Sequence, residues 1–182
     1  MKAKWAAFLT AAALLLTGCS VQIPGFPQEE SEPEVAVYNQ LPLPALFADI
    51  PQTFTETSSE QIEKFYVCDD ASIIFMEDPN PCNDLYAYAI SALVEYQKLA
   101  TSEETIDDAV IQGNSHTVQT LEFIYSLGEE GDGPTLHAIV GFISDGASVF
   151  TVTCKSEVDT FESHREEFLT TLRSVRIDRT GT

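Results

Sequence analysis

The sequence predicts an α+β domain in which an antiparallel sheet is covered by helices on both faces, a three-layer α/β/α sandwich. Across Leu136 to Ile143 and Ala147 to Cys154 neither strand face is polar: Leu136, Ala138, Val140 and Phe142 fall on one side, Ile139, Ile143, Phe150 and Val152 on the other. An antiparallel sheet apolar on both sides wants cover on both sides. Two segments with helical spacing can supply it, one burying Leu85, Ala89, Leu93, Tyr96 and Ala100, the other Phe161, Phe168, Leu172 and Val175.

The chain opens with a leader. Lys2 and Lys4 precede the apolar stretch Trp5 to Leu16, the layout of a secretory signal and too short to span a bilayer, which takes about 20 apolar residues. Leu16-Thr17-Gly18-Cys19 resembles the lipobox of bacterial lipoproteins, which implies cleavage before Cys19 and acylation of its thiol. Two or three acyl chains, at ~0.8 kcal/mol per buried methylene, hold a protein on a membrane where one chain would release it. Ser20 follows, so the Asp of the inner-membrane retention signal is absent. The division expected is a signal peptide over 1–18, lipidated Cys19 with a Pro/Glu-rich tether over 19–45, one domain over 46–178, and a tail over 179–182. Pro24, Pro27, Pro33, Pro42 and Pro44 among Glu29, Glu30, Glu32 and Glu34 bury too little to fold.

Within the domain, Phe65-Tyr66-Val67-Cys68 and Ser72 to Met76 read as a hairpin turning at Asp69-Asp70. Pro79 and Pro81 end it, and Asn83 or Asp84 offers an N-cap for the first helix. Thr101 to Asp108 is acidic and is expected to add a short helical turn. Val110 to Gln112 leads through Gly113-Asn114 into an alternating strand carrying Leu121, Phe123, Tyr125 and Leu127. Gly128 to Pro134 reads as an acidic loop. Asp145-Gly146 signals a two-residue hairpin turn, and Asp159 with Glu162 has capping-box spacing ahead of the last helix.

In this order the elements resemble a known family. Phe65-Tyr66-Val67, Ala71 to Phe75, a long helix, Ile111-Gln112-Gly113-Asn114, Leu121-Glu122-Phe123, the Asp145-Gly146 hairpin and a helix ending Leu172-Arg173-Ser174-Val175 are similar to the PsbP-like α/β/α sandwich that recurs in small bacterial lipoproteins. The resemblance runs from about Ile50 to Ile177. It implies a non-enzymatic binding or accessory domain and carries no functional motif over.

Charge removes two function classes. The chain has 29 acidic residues against 9 Lys and Arg, a net charge of −20. Such a surface repels phosphates, so neither nucleic acid nor a charge-driven peripheral membrane contact is expected. With 44 % hydrophobic residues and 11 Phe the chain can build a core.

Chemistry is harder to find. A two-residue turn at Asp145-Gly146 sets His137 opposite Cys154, which makes them the candidate pair, either packed or forming a ligand or thiolate site; packing is the default for a small, readily buried cysteine. Cys68, Cys82 and Cys154 remain after lipidation of Cys19. A Cys68–Cys82 bridge would span a strand of about 20 Å where ~7 Å is the limit. His116, His137 and His164 lack metal-ligand spacing, and His164 and Arg165 read as boundary residues. Glu129-Glu130-Gly131-Asp132-Gly133 lacks the EF-hand pattern. No catalytic residue, metal or cofactor is expected. The reading is a membrane-anchored extracytoplasmic module, held by acylated Cys19 and contacting a protein or small ligand. The alternative is a cell-surface enzyme using the Cys/His pair or an acidic site.

Overall fold

The computed structural model describes residues 38–59, 62–98, 100, 102–127 and 133–180. The leader, Cys19 and the loop residues Glu129, Glu130, Gly131 and Asp132 lie outside them. The described elements run β1 (Tyr38–Leu43), β2 (Leu46–Ile50), β3 (Thr55–Ser59), β4 (Ile62–Val67), β5 (Ala71–Asp78), α1 (Leu85–Gln97), β6 (Ser102–Gln112), β7 (Thr117–Ser126), β8 (Thr135–Ser144), β9 (Val149–Glu157), α2 (Phe161–Ser174) and β10 (Arg176–Ile177). Seven strands form one sheet in the order β3-β4-β5-β9-β8-β7-β6. Every neighbouring pair in it is antiparallel.

The two apolar faces of β8 and β9 build two cores. On one face Leu136, Ala138, Val140, Phe142, Leu121, Phe123 and Tyr125 pack with Ala89, Ala92, Leu93 and Tyr96 of α1. Asp84 caps that helix, its Oδ1 accepting from the Ala87 amide at 3.0 Å. On the other face Ile139, Ile143, Phe150, Val152 and Ile73 pack with Phe161, Phe168 and Leu172 of α2. Among the described residues no helix is long and apolar enough to cross a membrane.

One helix cannot cover such a sheet. Seven strands at ~4.8 Å spacing are about 29 Å wide, and a helix with side chains about 10 Å. On the α2 side the remainder is covered by a second sheet of order β1-β2-β10, whose Leu43, Leu46, Ala48 and Ile50 join the same core. The first described strand, Tyr38–Leu43, thus lies ahead of the tether boundary expected at residue 45. Pro42 is compatible with a strand here since β1 is an edge, and its pairing with β2 slips between Gln40 and Leu43.

Three local expectations also give way. The acidic segment expected to turn as helix is β6, paired along β7 from Ser102↔Ser126 to Gln112↔Thr117 with one slip between Thr105 and Asp107. An edge strand needs only one apolar side, and Glu104, Asp107 and Asp108 of β6 are exposed. The β8–β9 turn is four residues long, closing with Ser144↔Val149. Asp145 holds it, its Oδ1 accepting from the amides of Ala147 and Ser148, each at 2.9 Å, with Gly146 at φ 87° beyond. At α2 the N-cap is Thr160, without a side-chain cap; Glu162 instead pairs with Arg165.

Helix α2 sits close over Gly141 of β8. A Cβ built there would meet Leu172 Cδ2 at 2.5 Å and Val118 Cγ1 at 2.9 Å. Gly141→Ala is therefore expected to destabilise by about 1–3 kcal/mol through overpacking, read as a lower urea midpoint; an unchanged midpoint would mean that α2 can lift freely.

Candidate functional site

The four-residue turn shifts the register that sequence spacing assumed. Cys154 faces Ile139 and His137 faces Ser156, so the expected His137–Cys154 opposition is corrected to a diagonal on the α2 face. His137 stacks on Phe161, ring centroids 3.5 Å apart, and its Nε2–H donates to Glu122 Oε1 at 2.8 Å. Glu122 also accepts from both terminal nitrogens of Arg165. Burial works to raise the Glu122 pKa, and the Arg165 and His137 bonds more than reverse it. Cys154 is 0 % exposed, and burial pushes its thiol well up. A reactive thiolate needs the reverse, and Cys154 packs in the core beside α2.

A cavity of about 110 Å³ lies elsewhere, where α1, which packs on β7 and β8, leaves the sheet toward its other edge. It is lined by residues that include Phe65, Val67, Ser72, Leu136 and Lys155, and by the β4–β5 turn from Cys68 to Ala71. The cross-strand row explains its floor: Val67 faces Ser72, which faces Lys155, which faces Ala138. Lys155 is 3 % exposed, and loss of hydration brings its ammonium pKa down to about 7. Sequence reasoning missed this lysine, because a strand pattern alone does not mark a lysine as buried.

Beside this cavity the turn meets α2. Asp70 Oδ1 accepts from His164 Nε2 at 2.9 Å and Glu167 Oε2 accepts from His164 Nδ1 at 3.1 Å. Thr53 donates to the same glutamate at 3.0 Å. The imidazole lies among Phe54 and Phe168, at 6.1 and 5.7 Å between centroids. Burial works to lower the His164 pKa, and the bonds to Glu167 and Asp70 outweigh it and raise it. Ligand atoms of Cys68, Asp70 and His164 lie within 4.8 Å of one another. Chain spacing does not register such a grouping, because the fold joins groups 94 residues apart. His164, expected as a plain boundary residue, is at the centre of this cluster.

The residue types also match a Cys–His–acid nucleophile, but the state of the groups does not. Both ring nitrogens of His164 are committed to carboxylates, leaving none to take a thiol proton. Burial, with Asp70 and Glu167 nearby, pushes the Cys68 thiol up. Cys68, Cys82 and Cys154 are all free; Cys68 packs against the α2-side core and Cys82 against the α1-side core, so the sheet separates the pair whose bridging the strand length argued against.

The lysine on the cavity floor makes stability depend on pH. Its folded pKa lies below the unfolded value, so the unfolded chain binds the extra proton from about 7 up to ~10.4 and stability contributed at this site rises across that interval. Urea unfolding of the wild type should show this rise and Lys155→Met a flatter profile; equal profiles would mean that the ammonium stays charged at neutral pH.

No known family's sequence model matches the chain, and no curated protein matches its sequence. Solved structures do match in shape. The solution structure of the cyanobacterial PsbP, CyanoP, from Synechocystis is similar at a TM-score of 0.58 and 11 % identity, over 85 % of this chain and 98 % of that one. LpqN of Mycobacterium tuberculosis, involved in cell envelope biogenesis, matches at 0.51 and 14 %, over 72 % and 82 %. The Ran-binding protein Mog1p of Saccharomyces cerevisiae matches at 0.53 and 11 %, over 78 % and 96 %. At these identities the likeness is one of fold: an antiparallel sheet between helical layers, of the PsbP-like kind.

Proposed function

We propose that the chain is a lipid-anchored extracytoplasmic module that binds a protein or small ligand and does not turn one over. The non-catalytic half is carried by one observation: neither thiol with a histidine near it has a free base. His137 is spent on Glu122 and Phe161, and His164 on Asp70 and Glu167. The anchoring half rests on Leu16-Thr17-Gly18-Cys19 behind a short apolar leader. Similar folds occur in a Ran-binding protein and in a protein of cell envelope biogenesis, which agrees with a role in contact. The tether, from Cys19 to the first described strand at Tyr38, would hold the domain off the bilayer, and its carboxylates would be repelled by anionic lipid. A net charge of −20 favours cationic partners through the field of the whole domain.

Detergent phase partitioning of the expressed full chain tests the anchor. The wild type should enter the detergent phase with an acylated Cys19 at its new N-terminus, and Cys19→Ala should move to the aqueous phase while keeping its protein partners. Wild type found in the aqueous phase with an unmodified cysteine would overturn the placement. A saturable reaction lost on one side-chain change would overturn the non-catalytic reading.

A further inference from the structure

We propose that Cys68, Asp70 and His164 form a mononuclear zinc-type site, with Glu167 positioning the imidazole. Three donors of different chemistry, a sulfur, a carboxylate oxygen and a ring nitrogen, converge within 4.8 Å of one another. Donors about 2.0–2.3 Å from a tetrahedral zinc ion are about 3.4–3.6 Å apart, so small side-chain adjustments close the cluster on an ion. Asp70 and His164 already touch at 2.9 Å and need to separate by only about 0.5 Å for the ion to enter between them.

An ion pair alone leaves part of the arrangement without a purpose. Cys68 is only partly buried, and it would bind the ion as a thiolate, its proton leaving as the metal enters. Glu167 accepts from Nδ1 at 3.1 Å, the carboxylate–histidine contact that fixes the tautomer and aim of a metal-binding imidazole. Sulfur and nitrogen donors with one carboxylate select a borderline ion such as Zn²⁺ over the hard Ca²⁺ and Mg²⁺. Access is present: the side chains of His164 and Asp70 are 16 % and 36 % exposed.

On binding, Zn²⁺ takes the place of two protons, one from Cys68 Sγ and one from His164 Nε2, both released to solvent. Three bonds form from the chain, and water completes the tetrahedron. The ion then ties the β4–β5 turn to α2. The site is independent of the anchor and of the partner proposed above.

The test uses the full chain in detergent, stripped with a chelator and titrated with Co²⁺ alone as a spectroscopic substitute for Zn²⁺. A sulfur-to-cobalt charge-transfer band should saturate at one equivalent and vanish when Zn²⁺ is added. Cys68→Ala should abolish the band with the circular dichroism spectrum unchanged, and Cys82→Ala should retain it. His164→Gln should weaken binding at least about tenfold, and Glu167→Gln by about tenfold with the band kept. Should Cys68→Ala fail to fold, Cys68→Ser replaces it and the same loss is expected. A band that does not saturate, that survives loss of Cys68, or that is indifferent to His164→Gln would overturn the site; an effect absent only in Glu167→Gln would overturn the role of Glu167.

Discussion

Strands β8 and β9 carry buried side chains on both faces, and a seven-stranded sheet built around them is about three helix diameters wide. Most of the remaining architecture answers that mismatch. On one face α2 is supplemented by β1, β2 and β10, which draws the Pro-containing segment from Tyr38 to Leu43 into the domain. On the other, α1 rests on β7 and β8, and the strip of sheet beyond it becomes the cavity over Ser72 and Lys155. The cavity thus follows from how cover is distributed. No special sequence motif marks it.

What was legible in the sequence is what period reveals. The α1 stripe with its Asp84 cap, the two-faced alternation of β8 and β9, and the apolar spine of α2 could all be read from local spacing, because each depends on which side of one element meets a core. The β6 strand could not. Its acidic run lacks an apolar alternation, and it is a strand because β7 offers it a partner. A two-residue turn at Asp145-Gly146 would set the β8–β9 register two residues away from the observed one, in which His137 faces Ser156. The Asp145 carboxylate binds two amides beyond it and so stabilises a longer loop.

The same distinction separates the two histidine neighbourhoods. His137 was visible because Cys154 is near it in a hairpin, yet the groups that define its state, Glu122 and Phe161, come from β7 and α2. A buried carboxylate shared by an imidazole and a guanidinium holds α2 to the sheet, and removing one partner of such a set leaves a desolvated charge behind. His164 has Glu167 one turn further along α2, but Asp70 and Cys68 reach it only once α2 docks beside the β4–β5 turn. Chemistry assembled from elements far apart in the chain is silent in a single sequence, however regular the elements are.

Strand β6 has a consequence for the behaviour of many copies together. Among the described residues no strand lies beyond it, and edges of this kind can zip one molecule to the next. Here Glu104, Asp107 and Asp108 stand exposed along it, so a neighbour docking in the same way would bring its own carboxylates to within about 5 Å of these. Like charges at that range oppose growth of the sheet from molecule to molecule, and crowding on a surface would then leave the domains as separate particles instead of a fibre.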